Sequence, residues 1–144
     1  MRNKYYLNLL TRRSAVQAVY QNISTPSDAL WKDISQNDHI LTETKVDDIL
    51  LQEIVEKVEK KWNEWDEIIL KNLNSDLDLK KISRCAKAIL ICAIAEIEKK
   101  KEIASIIINE YLELTKLFCE NEVPLVNKIL DSFVHSLSVR EERS

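Results

Sequence analysis

The residues best suited to chemistry in this sequence are the cations near its start. Arg2, Lys4, Arg12 and Arg13 lie within residues 1–22, which contain no acidic residue and carry a charge of +4. The rest of the chain carries −7, so the net charge is −3. Because arginine forms paired hydrogen bonds to phosphate, a basic end on an acidic body indicates local binding of an anion. A helix with solvated arginines is the alternative, and composition leaves both open.

An aromatic residue follows these arginines at helical spacing. Tyr20 lies about two turns after Arg12 and Arg13, with Gln17 and Gln21 beside it. A tyrosine ring offers a nucleobase a stacking surface, and its hydroxyl can form a hydrogen bond. Together with the arginines, Tyr20 therefore indicates a nucleic-acid ligand. A half-buried core position for Tyr20 is equally consistent with the pattern.

The sequence lacks the patterns of catalytic and metal sites. Cys85 and Cys92 are seven residues apart on one predicted helix, and Cys92 lies in its most apolar part, so we expect buried structural thiols. No Cys-x-x-Cys pair occurs, and His39 and His135 are distant from the cysteines, so we expect no metal. The absence of glycine excludes the glycine-rich loops that bind phosphates and dinucleotides. We therefore expect neither enzymatic activity nor a cofactor.

No part of the sequence resembles an export signal or a membrane span. The first residues lack the apolar segment and cleavage site of a secretory signal. The longest apolar run, residues 88–95, is far shorter than the roughly 20 residues that cross a bilayer. We expect a cytoplasmic protein in which Cys85, Cys92 and Cys119 stay reduced.

Helical periodicity covers most of the chain. The absence of glycine disfavours the tight hairpins of a β-protein, and apolar residues recur every three or four positions. The predicted helical segments span residues 5–22, 27–37, 46–73, 79–98, 104–118 and 124–137. We predict a single all-α domain over residues 1–144, a compact bundle of about six to seven helices centred on segment 79–98. Residues 139–144 should fray.

Four sequence blocks resemble the NusB family of bacterial transcription antitermination factors. The first is Arg-Arg-Ser-Ala-Val-Gln-Ala-Val-Tyr-Gln at residues 12–21, which is similar to the opening helix of the family. Residues 88–97, 108–118 and 126–131 resemble three further family helices and come in the family order. The resemblance extends from about residue 9 to residue 134.

The resemblance implies an all-α, non-enzymatic protein of the transcription elongation complex. Members of the family bind the single-stranded boxA element of ribosomal RNA leader transcripts, together with NusE, a small-subunit ribosomal protein. The positions that correspond to RNA contacts in the family are Arg12, Arg13, Tyr20, Phe118 and Glu122.

One departure from the family bears on the RNA contacts. The family has further arginines where residues 8–10 are Asn-Leu-Leu here. We expect Arg2 and Lys4 to replace them in part, and both join the predicted RNA-binding set. Asn109 and Glu110 match a family Asn-Glu pair, which we interpret as helix–helix hydrogen bonding.

The alternative function is that of a helical protein–protein adaptor whose RNA surface has decayed. NusB-like domains also occur fused to RNA cytosine methyltransferases, but no cofactor-binding segment follows in this sequence, so we expect no such activity. The adaptor and the RNA-binding protein differ in one structural respect. In an RNA-binding protein, the N-terminal positive charge should converge with Tyr20 on one surface.

Overall fold

The computed structural model describes residues 4–24, 46–73 and 79–143, and these residues form helices and their connections. The helices are α1 (Lys4–Ser24), α2 (Asp48–Lys60), α3 (Trp65–Lys71), α4 (Arg84–Lys99), α5 (Ala104–Phe118) and α6 (Val123–Arg143). The all-α prediction is confirmed. The predicted helix over residues 27–37 lies outside the described residues, and so does Arg2.

Helix α4 is the centre of the bundle, as the apolar run in the sequence predicts. Its residues 88–97 are all buried, and α1, α2, α5 and α6 pack around it. A helix that is apolar on every side is stable in water only when neighbouring helices cover it. Ser83 caps the start of α4 by accepting a hydrogen bond from the Ala86 amide at 3.0 Å. The predicted start at residue 79 is instead a short 3₁₀ turn, Leu79–Lys81.

Helices α1 and α5 both run antiparallel to α4. Near one end of the bundle, Arg12 of α1 and Tyr111 of α5 both contact Glu96 of α4. Near the other end, the guanidinium of Arg84 in α4 lies 3.5 Å from the hydroxyl of Ser24 at the end of α1. At that same end, Glu122, which follows α5, accepts a hydrogen bond from the amide of Ser83 at the start of α4. Helices α1 and α5 are therefore parallel to each other, so their last residues lie at the same end of the bundle.

The single helix predicted over residues 46–73 is wrong. Helix α2 ends at Lys60, a 3₁₀ turn spans Trp62–Glu64, and α3 begins at Trp65. The indole of Trp65 donates a hydrogen bond to the Val58 carbonyl at 2.9 Å. This contact satisfies a carbonyl of the last turn of α2 and holds Trp65 in the core. Apolar spacing continues through the turn, so periodicity alone does not show the break.

Helix α6 closes the bundle with an apolar stripe. Val126, Ile129 and Leu130 are buried on α6, and Pro124 occupies its first turn, where its missing N–H has no cost. The helix continues to Arg143, beyond residue 139. The fraying of residues 139–144 stays a prediction.

Candidate RNA interface

Arg12, a predicted RNA contact, lies inside the protein. Its side chain is 4% exposed. Its Nε donates to Oε1 of Glu96 at 2.8 Å, its Nη2 bonds the second Glu96 oxygen, and its Nη1 pairs with Glu110. Burial lowers the pKa of the guanidinium, but the hydrogen bond and charge of Glu96 outweigh it, so the pKa of Arg12 is raised. Arg12 is committed to two carboxylates, which corrects the prediction that it binds phosphate.

Tyr111 completes this buried cluster. Its hydroxyl donates to Oε1 of Glu96 at 2.9 Å, and its ring centroid lies 5.8 Å from the guanidinium carbon of Arg12. Burial first, and then the charge of Glu96, raise the pKa of Tyr111 well above its usual value. Glu110 of α5 joins α1 through its ion pair with Arg12, as the helix–helix interpretation of this residue predicts. The neighbouring Asn109 is exposed and does not share this buried position.

Arg13 and Tyr20 lie about 100° and 80° around α1 from Arg12, on a more exposed side of the helix. Tyr20 is 43% exposed, which places it outside the buried core. Arg13 is partly exposed, seven residues before Tyr20, and therefore on nearly the same face of the helix. The Nε of Arg13 is buried without a hydrogen-bond partner in the described part of the chain. Nε is part of the guanidinium group, so a phosphate could bind only its two terminal nitrogens.

Phe118 lies at the same end of the bundle as Tyr20. Tyr20 follows Arg12 by eight residues, and Phe118 follows Glu110 by eight residues. Because Arg12 and Glu110 form an ion pair and α1 and α5 run parallel, both aromatic residues lie about 12 Å further along the bundle. Phe118 is the last residue of α5 and is 43% exposed. Two aromatic side chains are thus half exposed at one level of the molecule. We call this region, with Glu122, the Phe118 end.

Glu122 has a structural role at the Phe118 end. Its carboxylate accepts hydrogen bonds from the amide of Ser83, at 3.2 Å, and from its hydroxyl. Since Ser83 caps α4, Glu122 fixes the turn after α5 against the start of α4. A carboxylate oxygen has a second lone pair, so Glu122 can also accept a hydrogen bond from a base.

Arg84 is a cation at this end that the sequence analysis misses. It is the first residue of α4, it is exposed, and its side chain extends toward Ser24. The distance in sequence between Arg84 and Tyr20 hides their relation, which arises from the antiparallel packing of α1 and α4. The only local sequence signal for Arg84 is its position after the capping residue Ser83, at the start of an apolar helix.

Lys4 does not converge with Tyr20. It is the first residue of α1 and lies 16 residues before Tyr20, which corresponds to about 24 Å along the helix. Of the predicted N-terminal cations in the described residues, only Arg13 shares a side of α1 with Tyr20, about 10 Å along the helix from it, because Arg12 is buried. The expected convergence of the N-terminal charge is therefore limited to one residue.

Cys92 and Cys119 are not activated thiols. Cys92 is fully buried, and burial followed by the charge of Glu96 raises its pKa. Burial and then a hydrogen bond with Cys85 raise the pKa of Cys119 to about 12. No group of three or more metal-binding side chains occurs among the described residues.

Comparison with known proteins places the chain in a family. The NusB family model matches residues 10–135. The NusB transcription antitermination protein of Rickettsia felis is 31% identical over 144 residues, covering 90% of this chain and 92% of the relative. That of Sinorhizobium fredii is 30% identical over 141 residues, covering 92% and 87%. That of Bartonella tribocorum is 30% identical over 74 residues, covering 50% and 47%.

This chain belongs to the NusB family. NusB proteins are non-enzymatic transcription antitermination factors. The family match includes Arg13, Tyr20, Phe118 and Glu122, whereas Lys4 precedes it. In the part of the chain that the structure describes, no helix has the length and apolar character that a membrane span requires.

Proposed function

We propose that this protein is an RNA-binding transcription antitermination factor that binds the boxA-type leader of ribosomal RNA together with the ribosomal protein NusE. The observation that carries this proposal is the exposure of Tyr20 and Phe118 at one level of two parallel helices. Relatives that align with nearly the whole chain are named transcription antitermination proteins. The cytoplasmic location expected from the sequence follows from this function.

The Phe118 end has the groups that single-stranded RNA requires. Tyr20 and Phe118 offer ring faces for unpaired bases, and stacking tolerates any base. Arg13 and Arg84 supply guanidinium groups for phosphates, and Glu122 can accept a hydrogen bond from a base amino group. Sequence preference would then come from Glu122 and from NusE.

Of the cations predicted to bind RNA, Arg12 is buried and Lys4 lies about 24 Å along α1 from Tyr20, so RNA binding by this chain alone should be weak. If it neutralises three or four phosphates, including contacts from Arg2 and Lys4, log K should fall against log salt with a slope of about −2 to −3. Removing the charge of Arg13 should flatten the slope by about 0.7. NusE should tighten binding by adding its own surface.

Fluorescence anisotropy with labelled boxA-type RNA, with and without NusE, tests this proposal. Tyr20→Ala and Phe118→Ala should each lose about 1–3 kcal/mol of binding free energy, a weakening of roughly 5- to 150-fold, with little change in salt slope. Leu117→Ala is the matched control, because Leu117 is 70% exposed beside Phe118 but has no ring. Unchanged affinity in both aromatic variants, with normal melting temperatures, would contradict the proposal.

A protein–protein adaptor is the second candidate function. Ile106 and Leu117 are 55% and 70% exposed and lie on one face of α5, three turns apart. The separation of Lys4 from Tyr20 also favours an adaptor. A variant that loses all RNA binding but still forms a stable complex with NusE would show that the two functions use different surfaces.

A further inference from the structure

We infer that Tyr6 is a second stacking residue and that the RNA strand follows the outer face of α1 from Tyr20 toward Tyr6. This inference rests on the proposed function and extends its site. Tyr6, Arg13 and Tyr20 are spaced by seven residues, so each lies only about 20° around the helix from the next. Tyr6 is 42% exposed and Tyr20 is 43% exposed. The two rings and the guanidinium therefore form one stripe, which we call the α1 stripe.

The opposite face of α1 is the one that packs into the bundle. Ala15 and Val19 are almost completely buried there, and Arg12 is buried in its ion pairs. Gln17 lies between Arg13 and Tyr20 on the outer side and is exposed. In the middle of the helix, residues 10–16 are buried apart from Arg13, which is partly exposed, so the α1 stripe reaches the solvent mainly at Tyr6, Gln17 and Tyr20.

The composition of the α1 stripe favours RNA over a protein partner. Helix α1 has no acidic residue, and Lys4 and Arg13 give its accessible surface positive charge. The large hydrophobic side chains that are exposed on α1 are tyrosines, whereas the large exposed aliphatic side chains of the described residues lie elsewhere, at Ile49, Leu70, Ile106 and Leu117. Alternating aromatic rings and cations suit a strand of stacked bases with phosphates between them.

The spacing of the two tyrosines sets a length for the RNA. Fourteen residues separate Tyr6 from Tyr20, which corresponds to about 21 Å along the helix. A stacked strand rises about 3.4 Å per nucleotide, so about six steps connect the two rings, and fewer do so if the strand is extended. Short RNA should therefore reach only one ring, while longer RNA should reach both.

Binding of an RNA length series, from about 12 nucleotides down to about 3, tests this inference. The 12-nucleotide RNA contains a boxA-type sequence, and the shorter ones are cut from it around the segment that contacts Tyr20. Tyr6→Ala should weaken the longest RNA by between about 5- and 150-fold and leave the shortest unaffected. Tyr20→Ala should weaken every length. Tyr6→Phe, which keeps the ring, should bind the longest RNA nearly as the parent does.

Tyr5→Ala is the matched control, because Tyr5 is 50% exposed on the same turn but about 100° around the helix. It should bind RNA of every length as the parent does. Equal affinities for Tyr6→Ala and Tyr5→Ala on the longest RNA would overturn the inference. The same holds if Tyr6→Ala weakens the shortest RNA as much as the longest. In these outcomes a persistent effect of Tyr20→Ala would leave the proposed function intact, whereas a parent protein that binds no RNA would overturn both.

Discussion

Arg12 of α1 and Glu96 of α4 form a two-point ion pair inside the bundle, although 84 residues separate them in the chain. Glu110 adds a second carboxylate, and the Tyr111 hydroxyl bonds Glu96. This pairing fixes the register of α1 against α4 and α5. It thereby determines which residues of α1 face the solvent, and it places Tyr20 at the same level as Phe118.

Replacing Arg12 should reduce stability much more than replacing Arg13. Arg12→Ala leaves two buried carboxylates without a cation, which costs about 3–5 kcal/mol. For a chain of this length, that loss lowers the melting temperature by roughly 6–20 °C. Arg13→Ala should shift it by no more than about 2 °C, because Arg13 is partly exposed. Thermal melts by circular dichroism measure both, and equal melting temperatures would refute the structural role of Arg12.

A carboxylate at the centre of α4 should prevent stable folding, while the same change on the surface of α5 should not. Ile94 is 0% exposed, and Ile106 is 55% exposed. Ile94→Asp buries an unpaired polar group at a cost of several kcal/mol, whereas Ile106→Asp should change stability by less than about 0.5 kcal/mol. Urea denaturation distinguishes the two. An Ile94→Asp protein as stable as the parent would show that α4 is not the buried centre.

Stability should fall at alkaline pH, in part because of Cys92. Burial raises the pKa of this thiol above the value of about 8.5 in the unfolded chain. Above that pH the unfolded state releases the proton and the folded state keeps it. The free energy of unfolding should therefore decrease by about 1.4 kcal/mol per pH unit for this group, with no effect at lower pH.

The variant Cys92→Ala isolates this contribution. It should unfold more easily at neutral pH, because it leaves a small cavity, but its stability should decline less steeply between about pH 9 and pH 10. Cys119 remains in both proteins and cancels in the comparison, and Tyr111 contributes mainly above this window, because an unfolded tyrosine ionises near pH 10. Parallel pH profiles from urea denaturation would show that Cys92 ionises equally well in the folded state.

The sequence predicts the elements of this fold better than the roles of single side chains. The apolar run at residues 88–95 identifies the buried helix, and the stripe over 104–118 gives the ends of α5. The helical periodicity does not reveal the break after α2, because the apolar residues of the turn keep the three- to four-residue spacing of a helix. The Trp65–Val58 hydrogen bond that accompanies the break has no signature in the spacing of residues.

For the site residues too, the sequence does not predict the role of each side chain. Arg12 and Arg13 are adjacent and identical in type, so only the long-range contact with Glu96 shows that one is buried and the other faces outward. Arg84 becomes part of the Phe118 end through helix packing, which residue type does not reveal. Tyr20 and Phe118 are identified by family resemblance, and the structure adds that both are half exposed.

Crosslinking of bound RNA to the protein tests the central claim most directly. A boxA-type RNA with photoreactive uridines, irradiated in the complex and followed by trypsin and mass spectrometry, reports which peptides touch it. Tyr20 lies in tryptic peptide 14–32, and Phe118 and Glu122 lie in peptide 117–128. We expect crosslinks in both peptides, and their loss when salt releases the RNA. Crosslinks confined to peptides 46–57 and 62–71, which come from α2 and α3, would contradict an RNA interface at the Phe118 end.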